Sequence, residues 1–349
     1  MNKPKRIYRY IFFAAIIIIA AAFVAGIQFY LHVFASNVDL GGKESVHLHI
    51  PSGSSYDDVL DILNESGMLV NPGRFHRVAL RKNYPNRIMP GRYLIQDGMS
   101  NNCLVNLLRS GKQDPVHLTF TNIRTKEQLA EVISARLETD SLSILKLLNN
   151  QEAMAGAGMD TLTGILLFIP NTYQVYWNTT AHDLLRRMQR EYEAFWNDAR
   201  QQRAAEIGLS RRETGILASI VAAETSIPDE MPRIAGVYMN RLQRNIPLQA
   251  DPTVIFATGD FQIRRVLNHH LEIDSPYNTY LYAGLPPGPI NLPEPRVLDA
   301  VLHYEEHDYL YFSAKPDFSG RHVFARTYAE HLANARRYRE ALNQMNIYR

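Results

Sequence analysis

The first part of the chain is one long apolar run. From Tyr10 to Val38 it carries no Asp, Glu, Lys or Arg, and this length is sufficient to span a bilayer as a helix. Basic residues precede the run and Asp39 follows it, so the positive-inside rule predicts a cytoplasmic tail over residues 1–10 and a transmembrane helix over 11–36. A cleaved signal peptide with "VFAS" as its cleavage site is the alternative, although the run is longer than a typical signal-peptide core.

After this run, the apolar positions change repeatedly from the period of a strand to that of a helix. "VHLHI" alternates like a strand, and "SSYDDVLDILNESG" predicts a capped helix. A short strand in "PGRYLI" and a helix ending in "NLLRSGK" complete a small α+β module over residues 45–115. A second strand and helix, "VHLTF" and "RTKEQLAEVISARLE", follow about 70 residues after the first pair and open a connecting segment over 116–160.

Residues 161–349 are expected to form a larger α+β domain. The chain over 141–210 reads as mostly helical, interrupted by the turn in "LLFIPNTYQVYWN". "IPLQADPTVIFATGD" is predicted to be turn-rich, and "SPYNTYLYAGLPPGPINLPEP" to be a loop, because prolines this dense do not fit inside a helix or a central strand. "YLYFSA" and "HVFAR" predict a strand pair, followed by a basic helix that begins near Tyr328. The predicted fold class is therefore α+β with an N-terminal transmembrane helix.

Composition and the remaining motifs argue against several classes of function. The formal net charge is +2, and no Lys/Arg cluster was recognised beyond the N-terminal flank, so a nucleic-acid partner is not expected. Cys103 is the only cysteine and is predicted to be a small buried residue. "HYEEH" (303–307) matches a zinc-peptidase pattern but lacks an identifiable third ligand, so no metal or cofactor is predicted.

The stretch "ILASIVAAETSIPDE" reads as an apolar helix with a carboxylate on its inner face. A capping box at Ser210 and Glu213 predicts the start of this helix. Leu217, Val221 and Glu224 then follow at spacings of four and three, so they share one face.

This position is expected to make Glu224 a weak acid. Burial raises the pKa of a carboxyl group, and a helix end near Ile227, just before Pro228, adds the negative end of the helix dipole. A carboxyl that stays protonated near neutral pH suits a general acid for cleavage of a glycosidic bond. The alternative is a salt-bridged glutamate at a helix end.

Polar and aromatic residues are dense after this helix. Sugars bind through such sets, because aromatic faces cover the apolar side of a pyranose ring while amide and carboxylate groups bind its hydroxyls. A turn-rich surface in which Asn and Asp serve local turns is the alternative. The predicted substrate-binding residues are Asn240, Arg241, Gln249, Asp251, Thr253, Tyr277, Asn278 and Tyr280.

Several stretches, in this order, carry a resemblance to a known family: "PGRYLI", "LLRSGK", "FIPNTY", "LASIVAAET", "AGVYMNRL", "LQADPTVIFATG", "SPYNTYLYAGLPPGPI" and "YLYFSA". They extend over nearly everything beyond the apolar run. In these stretches the chain resembles the YceG-like (MltG) family of membrane-anchored endolytic murein transglycosylases. The resemblance implies a LysM-like module over residues 45–115 and a catalytic domain that cleaves nascent peptidoglycan strands internally, beside the membrane.

The resemblance also implies that Glu224 is the catalytic acid. Ala222 stands where the family commonly has another glutamate, and Asn171 stands where an aspartate is frequent. Positions two apart point to nearly opposite sides of a helix, so the retained Glu224 is the one that shares the stripe of Leu217 and Val221.

One carboxyl suffices for the chemistry that the resemblance implies. Ordinary glycosidases use a pair, whereas in a lytic transglycosylase the muramoyl 6-hydroxyl attacks its own anomeric carbon. Glu224 is expected to protonate the oxygen between MurNAc and GlcNAc and then to deprotonate that hydroxyl, which gives a 1,6-anhydroMurNAc end. A hydrolytic muramidase that uses Glu224 and Asp251, and a non-catalytic peptidoglycan-binding scaffold, remain as alternatives.

The expected setting is the bacterial cytoplasmic (inner) membrane, crossed once, with the N-terminus inside and the catalytic domain in the periplasm. The expected partners are peptidoglycan glycan strands, the membrane itself and peptidoglycan synthases. In this setting, internal cleavage would terminate the elongation of a glycan strand.

Overall fold

The chain separates into two compact units. The computed structural model describes residues 3–345, with side chains from residue 7 onward, so the first two residues of the predicted tail and the last four of the predicted catalytic domain lie outside the described residues. The first unit comprises Met1–His117 and Gln174–Thr179, and the second comprises Leu118–Tyr173 and Thr180–Arg349.

The first unit begins with a long helix, α1 (Lys3–Val33). Its portion Ile7–Val33 has 27 residues with a mean hydropathy of 2.7, and none of its apolar 18-residue window is buried inside the protein. Only its last residues, such as Val33, pack against the folded part of the unit. A long helix that is apolar all round and exposed over most of its length fits a single-pass membrane anchor. The helix begins inside the predicted tail and ends three residues before the predicted boundary at residue 36.

A two-stranded antiparallel sheet and three helices form the folded part of the first unit. Ser45 pairs with Gln96 at one end of the sheet, and Ile50 pairs with Gly91 at the other. The elements of this part in chain order are β1 (Ser45–Ile50), α2 (Tyr56–Glu65), α3 (Pro72–Arg81), β2 (Gly91–Gln96) and α4 (Asn101–Ser110). Strand β3 (Val116–Thr119) follows where the chain passes from the first unit to the second.

Most of these elements confirm the sequence prediction, including the capping box of α2 between Ser55 and Asp58. Helix α3 was missed, although Asn71 at its N-cap and Pro72 in its first turn are ordinary start signals. Cys103 was expected to be buried, but it is exposed. The prediction was wrong because Leu104 and Leu108 form the buried face of α4, and position 103 lies outside that face.

The second unit is mostly helical, and its small sheets have two strands each. β3 pairs with β4, and in the last sheet Tyr311 lies opposite Ala325. A 3-10 turn occupies Gly164–Leu167. The other elements are α5 (Lys126–Ser134), α6 (Ser141–Leu148), α7 (Gln151–Gly156), β4 (Thr172–Val175), α8 (Ala181–Phe195), α9 (Asp198–Glu206), α10 (Arg211–Glu224), α11 (Met231–Gln243), α12 (Asp251–Thr258), α13 (Asn268–Leu271), α14 (Pro295–Leu302), β5 (Tyr311–Ala314), β6 (His322–Ala325) and α15 (Tyr328–Gln344).

Helix α10 lies at the centre of this unit. Every residue from 214 to 221 is buried, and the helix packs against α11, α12 and α14. A helix buried on all sides must be apolar all round, which is what its sequence shows. Only the two ends of the helix reach the surface, and Glu224 lies in its last turn.

The predicted loop after residue 275, the β5–β6 strand pair and the start of α15 at Tyr328 are confirmed. The turn-rich reading of "IPLQADPTVIFATGD" is wrong over Asp251–Thr258, which is helix α12. Pro252 lies in the first turn of this helix, and Gly259 ends it in the left-handed conformation with φ 71°. The fold as a whole is a helix-rich mixture of helices and small sheets with one N-terminal apolar helix.

Candidate active site

Glu224 is the last residue of α10. The predicted capping box between Ser210 and Glu213 is confirmed at the start of the helix. The helix ends three residues before the predicted end at Ile227, because Thr225 is extended (φ −146°, ψ 143°). The Thr225 hydroxyl accepts a hydrogen bond from the Ile227 amide at 3.1 Å, which fixes the turn after the helix.

The Glu224 carboxyl has a raised pKa, as the sequence predicts. Its side chain is partly buried, and burial is the largest cause that raises the pKa from 4.5 to about 7. A hydrogen bond from Tyr238 opposes this rise, and the negative charge of Asp251 adds to it. An acid that is about half protonated near neutral pH can both donate and accept a proton, as a general acid and base must.

Tyr238 on α11 holds the Glu224 carboxyl in place. The Tyr238 side chain is fully buried, and its hydroxyl donates to Oε1 of Glu224 at 2.6 Å. Burial and the neighbouring carboxylate raise the pKa of Tyr238 well above its ordinary value, so the phenol remains the donor. A proton on Glu224 is therefore carried by Oε2. This partnership could not be predicted from the sequence, where Tyr238 is one of several apolar positions at helical spacing.

A second carboxylate lies near the first. The Tyr280 hydroxyl donates to Oδ1 of Asp251 at 2.5 Å, and Asp251 itself is exposed at the start of α12. The pKa of Tyr280 is raised mainly by burial of its hydroxyl and, to a smaller extent, by the hydrogen bond to Asp251. Since the charge of Asp251 also raises the pKa of Glu224, these four side chains, Glu224, Tyr238, Asp251 and Tyr280, form one electrostatic cluster. We call it the Glu224 cluster.

The side chains of Arg241 and Gln249 are hydrogen-bonded to each other beside the Glu224 cluster. The buried Arg241 guanidinium donates to the carbonyl oxygens of Pro247 and Leu310, each at 2.9 Å, and to Oε1 of Gln249 at 2.5 Å. Gln249 has φ 51°, a left-handed conformation that costs a non-glycine residue about 1 kcal/mol. Such strain persists where surrounding contacts impose it, often at functional sites.

The side chains of Thr253 and Asn278 stabilise the loops of the site by hydrogen bonds to the backbone. Both are buried. The Thr253 hydroxyl donates to the Ala250 carbonyl at 2.7 Å. The Asn278 amide donates to two loop carbonyls at 2.9 Å each, and its oxygen accepts from the Tyr280 amide at 3.0 Å. Because their polar groups already form hydrogen bonds within the protein, we assign both residues a structural role in the site.

Asn240 and Tyr277 are also engaged by the protein. The Asn240 amide donates to the carbonyl oxygens of His307 at 2.6 Å and Tyr309 at 3.0 Å, which ties α11 to the segment before β5. The Tyr277 ring packs on Phe256, with centroids 4.7 Å apart, and remains partly exposed. Among the predicted binding residues, Gln249 and Asp251 are exposed, Asn240, Tyr277 and Tyr280 are partly exposed, and the other three are buried.

The "HYEEH" pattern does not form the helical arrangement that a zinc site would need. Helix α14 ends at Leu302, one residue before the pattern begins. Nε2 of His307 lies 2.9 Å from the Arg233 carbonyl oxygen and is thus bonded to the backbone. Within residues 3–345, no group of three or more His, Cys, Asp or Glu side chains is arranged to hold a metal ion.

A cavity of about 630 Å³ opens beside the end of α10, and its lining includes Ala222, Ala223, Phe256, Asn291 and Pro170. The small side chains of the two alanines leave this space open. Glu224 itself does not line this cavity, because its carboxyl faces Tyr238 and Asp251. The cavity and the carboxyl therefore lie on neighbouring sides of the same helix end.

Asn171 lies in the turn that follows Pro170. It is the position at which the YceG-like family often has an aspartate, according to the resemblance described above. Its side chain is exposed, and Oδ1 accepts from the Thr172 amide at 2.8 Å. The amide thus stabilises the turn that leads into β4.

Comparisons with known proteins point to one family. The model of the YceG-like family matches residues 48–337. The chain is 28% identical over 324 residues to the endolytic murein transglycosylase of Bacillus subtilis (strain 168), covering 88% of each chain. It is 26% identical to the endolytic murein transglycosylase of Streptococcus pneumoniae (strain D39), covering 85% of this chain and 59% of that relative.

A crystal structure of a YceG-like protein from Listeria monocytogenes is similar in fold. The TM-score is 0.58 at 27% identity, and the match covers 84% of this chain and 99% of the other. The chain belongs to the YceG-like family.

Proposed function

We propose that this protein is a membrane-anchored lytic transglycosylase that cleaves nascent peptidoglycan strands internally. The observation that carries the proposal is the Glu224 carboxyl, whose pKa is raised to about 7 and whose Oε1 is held by Tyr238. The names of the relatives from B. subtilis and S. pneumoniae, both endolytic murein transglycosylases, support the choice of substrate and reaction.

In the proposed reaction, Glu224 acts twice. The protonated carboxyl gives its proton to the oxygen between MurNAc and GlcNAc, and the bond from that oxygen to the MurNAc anomeric carbon breaks. The resulting carboxylate then takes the proton of the MurNAc 6-hydroxyl while its oxygen bonds to the anomeric carbon. The products are a 1,6-anhydroMurNAc end and a free GlcNAc hydroxyl. Water is not consumed, and Glu224 ends the cycle protonated.

The other polar residues take two kinds of role in this proposal. Gln249, Asp251, Tyr277 and Tyr280 hold the saccharide, because their side chains are exposed or partly exposed. The Asp251 carboxylate also stabilises the positive charge that develops at the anomeric carbon. Asn240, Arg241, Thr253 and Asn278 fix the loops that carry these groups.

For the rest of the chain, we propose the following organisation. Helix α1 crosses the cytoplasmic membrane once with the N-terminus inside, which places the folded units in the periplasm. Residues 45–115 form a LysM-like module that binds glycan. Residues 116–160 connect this module to the catalytic domain, which comprises residues 161–349. Cleavage beside the membrane terminates the elongation of strands that peptidoglycan synthases produce.

The test is mass spectrometry of uncrosslinked glycan strands after incubation with the full chain in detergent micelles. Wild type is expected to give internal fragments that end in 1,6-anhydroMurNAc, and Glu224→Gln is expected to give none, because the amide cannot donate the proton. Glu306→Gln, at an exposed position outside the Glu224 cluster, is the matched control and should cleave like wild type. Intact strands from folded wild type would contradict the proposal.

A further inference from the structure

A strongly basic stretch surrounds helix α3. Between Ser66 and Gln96 the sequence contains no Asp or Glu. The small net charge of the whole chain conceals this local excess of positive charge. The cations of the stretch are Arg74, Arg77, Arg81, Lys82, Arg87 and Arg92.

Two of these arginines lie against the outer end of α1. The Arg77 guanidinium donates to Nε2 of His32 at 2.6 Å. Nδ1 of His32 lies 2.6 Å from the Gln28 carbonyl oxygen, and a histidine supplies no negative charge to compensate that of Arg77. The Arg81 guanidinium lies over the Phe29 ring, 5.9 Å from its centroid.

A groove of about 910 Å³ runs from these arginines along α1. Its apolar wall extends from Ile17 through Val24 to Phe29, and Arg77 and Arg81 stand at its outer end. At 1.5 Å per residue, the groove follows α1 for about 20 Å. The arginines lie beside the last turns of the apolar span Ile7–Val33, at the level where lipid headgroups begin.

Two of the charges in this stretch lack an acidic partner in the part of the chain that the structure describes. Among the described residues, no carboxylate forms a salt bridge with Arg77 or Arg81, whereas Arg92 pairs with Asp114 at 3.1 Å. Both unpaired arginines are exposed, and Leu80 between them is 52% exposed. A short helix that presents basic and apolar side chains together is typical of a membrane interface.

We propose that the groove between α1 and α3 binds an anionic phospholipid of the bilayer. Its phosphate lies between Arg77 and Arg81, which donate charge-assisted hydrogen bonds, and one acyl chain follows the apolar wall of α1. The bound lipid fixes α3 and the first unit against the membrane surface. The proposal rests on the membrane anchor of the proposed function and not on its catalytic chemistry.

The test is native mass spectrometry of the full chain in neutral detergent with added phosphatidylglycerol or phosphatidylcholine. Wild type is expected to retain phosphatidylglycerol in preference to phosphatidylcholine. Each removed arginine should weaken the affinity for the anionic lipid about five-fold, so Arg77→Ala with Arg81→Ala should abolish the preference. The matched control is Arg336→Ala with Arg339→Ala, two exposed positions on α15 that should bind like wild type.

A second variant distinguishes a loss of lipid binding from a loss of folding. Arg77→Lys with Arg81→Lys keeps both charges and should keep the preference for phosphatidylglycerol. Equal retention of both lipids by wild type, or an unchanged preference in the alanine variant, would overturn the proposal. Displacement of the lipid by an equal concentration of inorganic phosphate would also overturn it, by revealing a site for free phosphate. A full chain that fails to enter neutral nanodiscs would instead contradict the anchor.

Discussion

At the residue scale, the account depends on the environment of Glu224. Helical spacing from Leu217 and Val221 was enough to predict a buried, weakly acidic carboxyl, because both the spacing and the burial are local properties of α10. Tyr238 was not predictable in this way. It lies 14 residues further along the chain, and its bond to Glu224 depends on how α11 packs back against α10.

Tyr238→Phe should move the pH dependence of the reaction. The hydrogen bond from Tyr238 lowers the pKa of Glu224, so its loss raises that pKa above about 7. The acid form then persists to higher pH, and the alkaline limb of kcat/KM should shift upward by about one pH unit. Tyr192→Phe is the control, since it removes the hydroxyl of another buried tyrosine, one that lies outside the Glu224 cluster. An alkaline limb at the wild-type position would count against the assigned bond.

Glu224→Gln should make the protein more stable at neutral and alkaline pH. A carboxyl whose pKa rises from 4.5 to about 7 on folding contributes stability that is present below pH 4.5 and is lost as pH rises through 7. The glutamine is never ionised, so the variant should gain about 3 kcal/mol over wild type at pH 8 and almost nothing near pH 4.5. Denaturant unfolding at the two pH values measures this difference, and an equal difference at both would refute it.

At the element scale, the residues that mark the start and end of a helix were harder to interpret than the spacing of apolar residues within it. Pro252 and Gly259 were interpreted as turn residues, yet they begin and end α12. The reason is physical, since a proline in the first turn of a helix has no hydrogen bond to lose and a glycine at its end adopts a left-handed conformation freely. The "HYEEH" pattern shows the converse case, in which a motif compatible with a helix lies in an irregular segment.

The β5–β6 hairpin holds the turn that follows α10. Buried Glu230 accepts from the His322 amide at 2.9 Å and lies 2.9 Å from its Nδ1. Glu230→Ala removes both contacts and leaves a cavity, so we expect a loss of about 3 kcal/mol in unfolding free energy. Glu306→Ala, at an exposed position, should lose less than about 0.5 kcal/mol. Similar stabilities for the two variants, measured by denaturant unfolding, would show that the hairpin contact is dispensable.

At the scale of the whole molecule, the sequence predicted an apolar first helix followed by a mixture of helices and small sheets, and the structure has both. The larger part was predicted to be α+β, and it is richer in helix than that description implies. It did not predict which polar residues reach the surface of the site. Asn278 and Thr253 are typical of sugar sites by residue type, but their burial depends on contacts between segments about 26 residues apart, such as that of Thr253 with Thr279. Composition also concealed the basic stretch around α3, because the charges balance over the full length.

Cys103 offers a direct test of orientation. It is the only cysteine in the sequence and it is exposed on α4. If α1 crosses the membrane with its N-terminus inside, a membrane-impermeant maleimide should label intact spheroplasts that carry the wild-type chain. Cys103→Ser should remain unlabelled. Labelling that requires permeabilised cells would reverse the proposed orientation.

The most direct test of the central claim, that Glu224 catalyses an intramolecular transfer, is cleavage of uncrosslinked strands in H₂¹⁸O followed by mass spectrometry of the new ends. In the proposed reaction the 6-hydroxyl attacks the anomeric carbon, so the 1,6-anhydroMurNAc ends should carry no ¹⁸O. Reducing MurNAc ends that contain one ¹⁸O atom in every cleavage product would show that water is the nucleophile, and the account of Glu224 as the sole acid and base would be wrong.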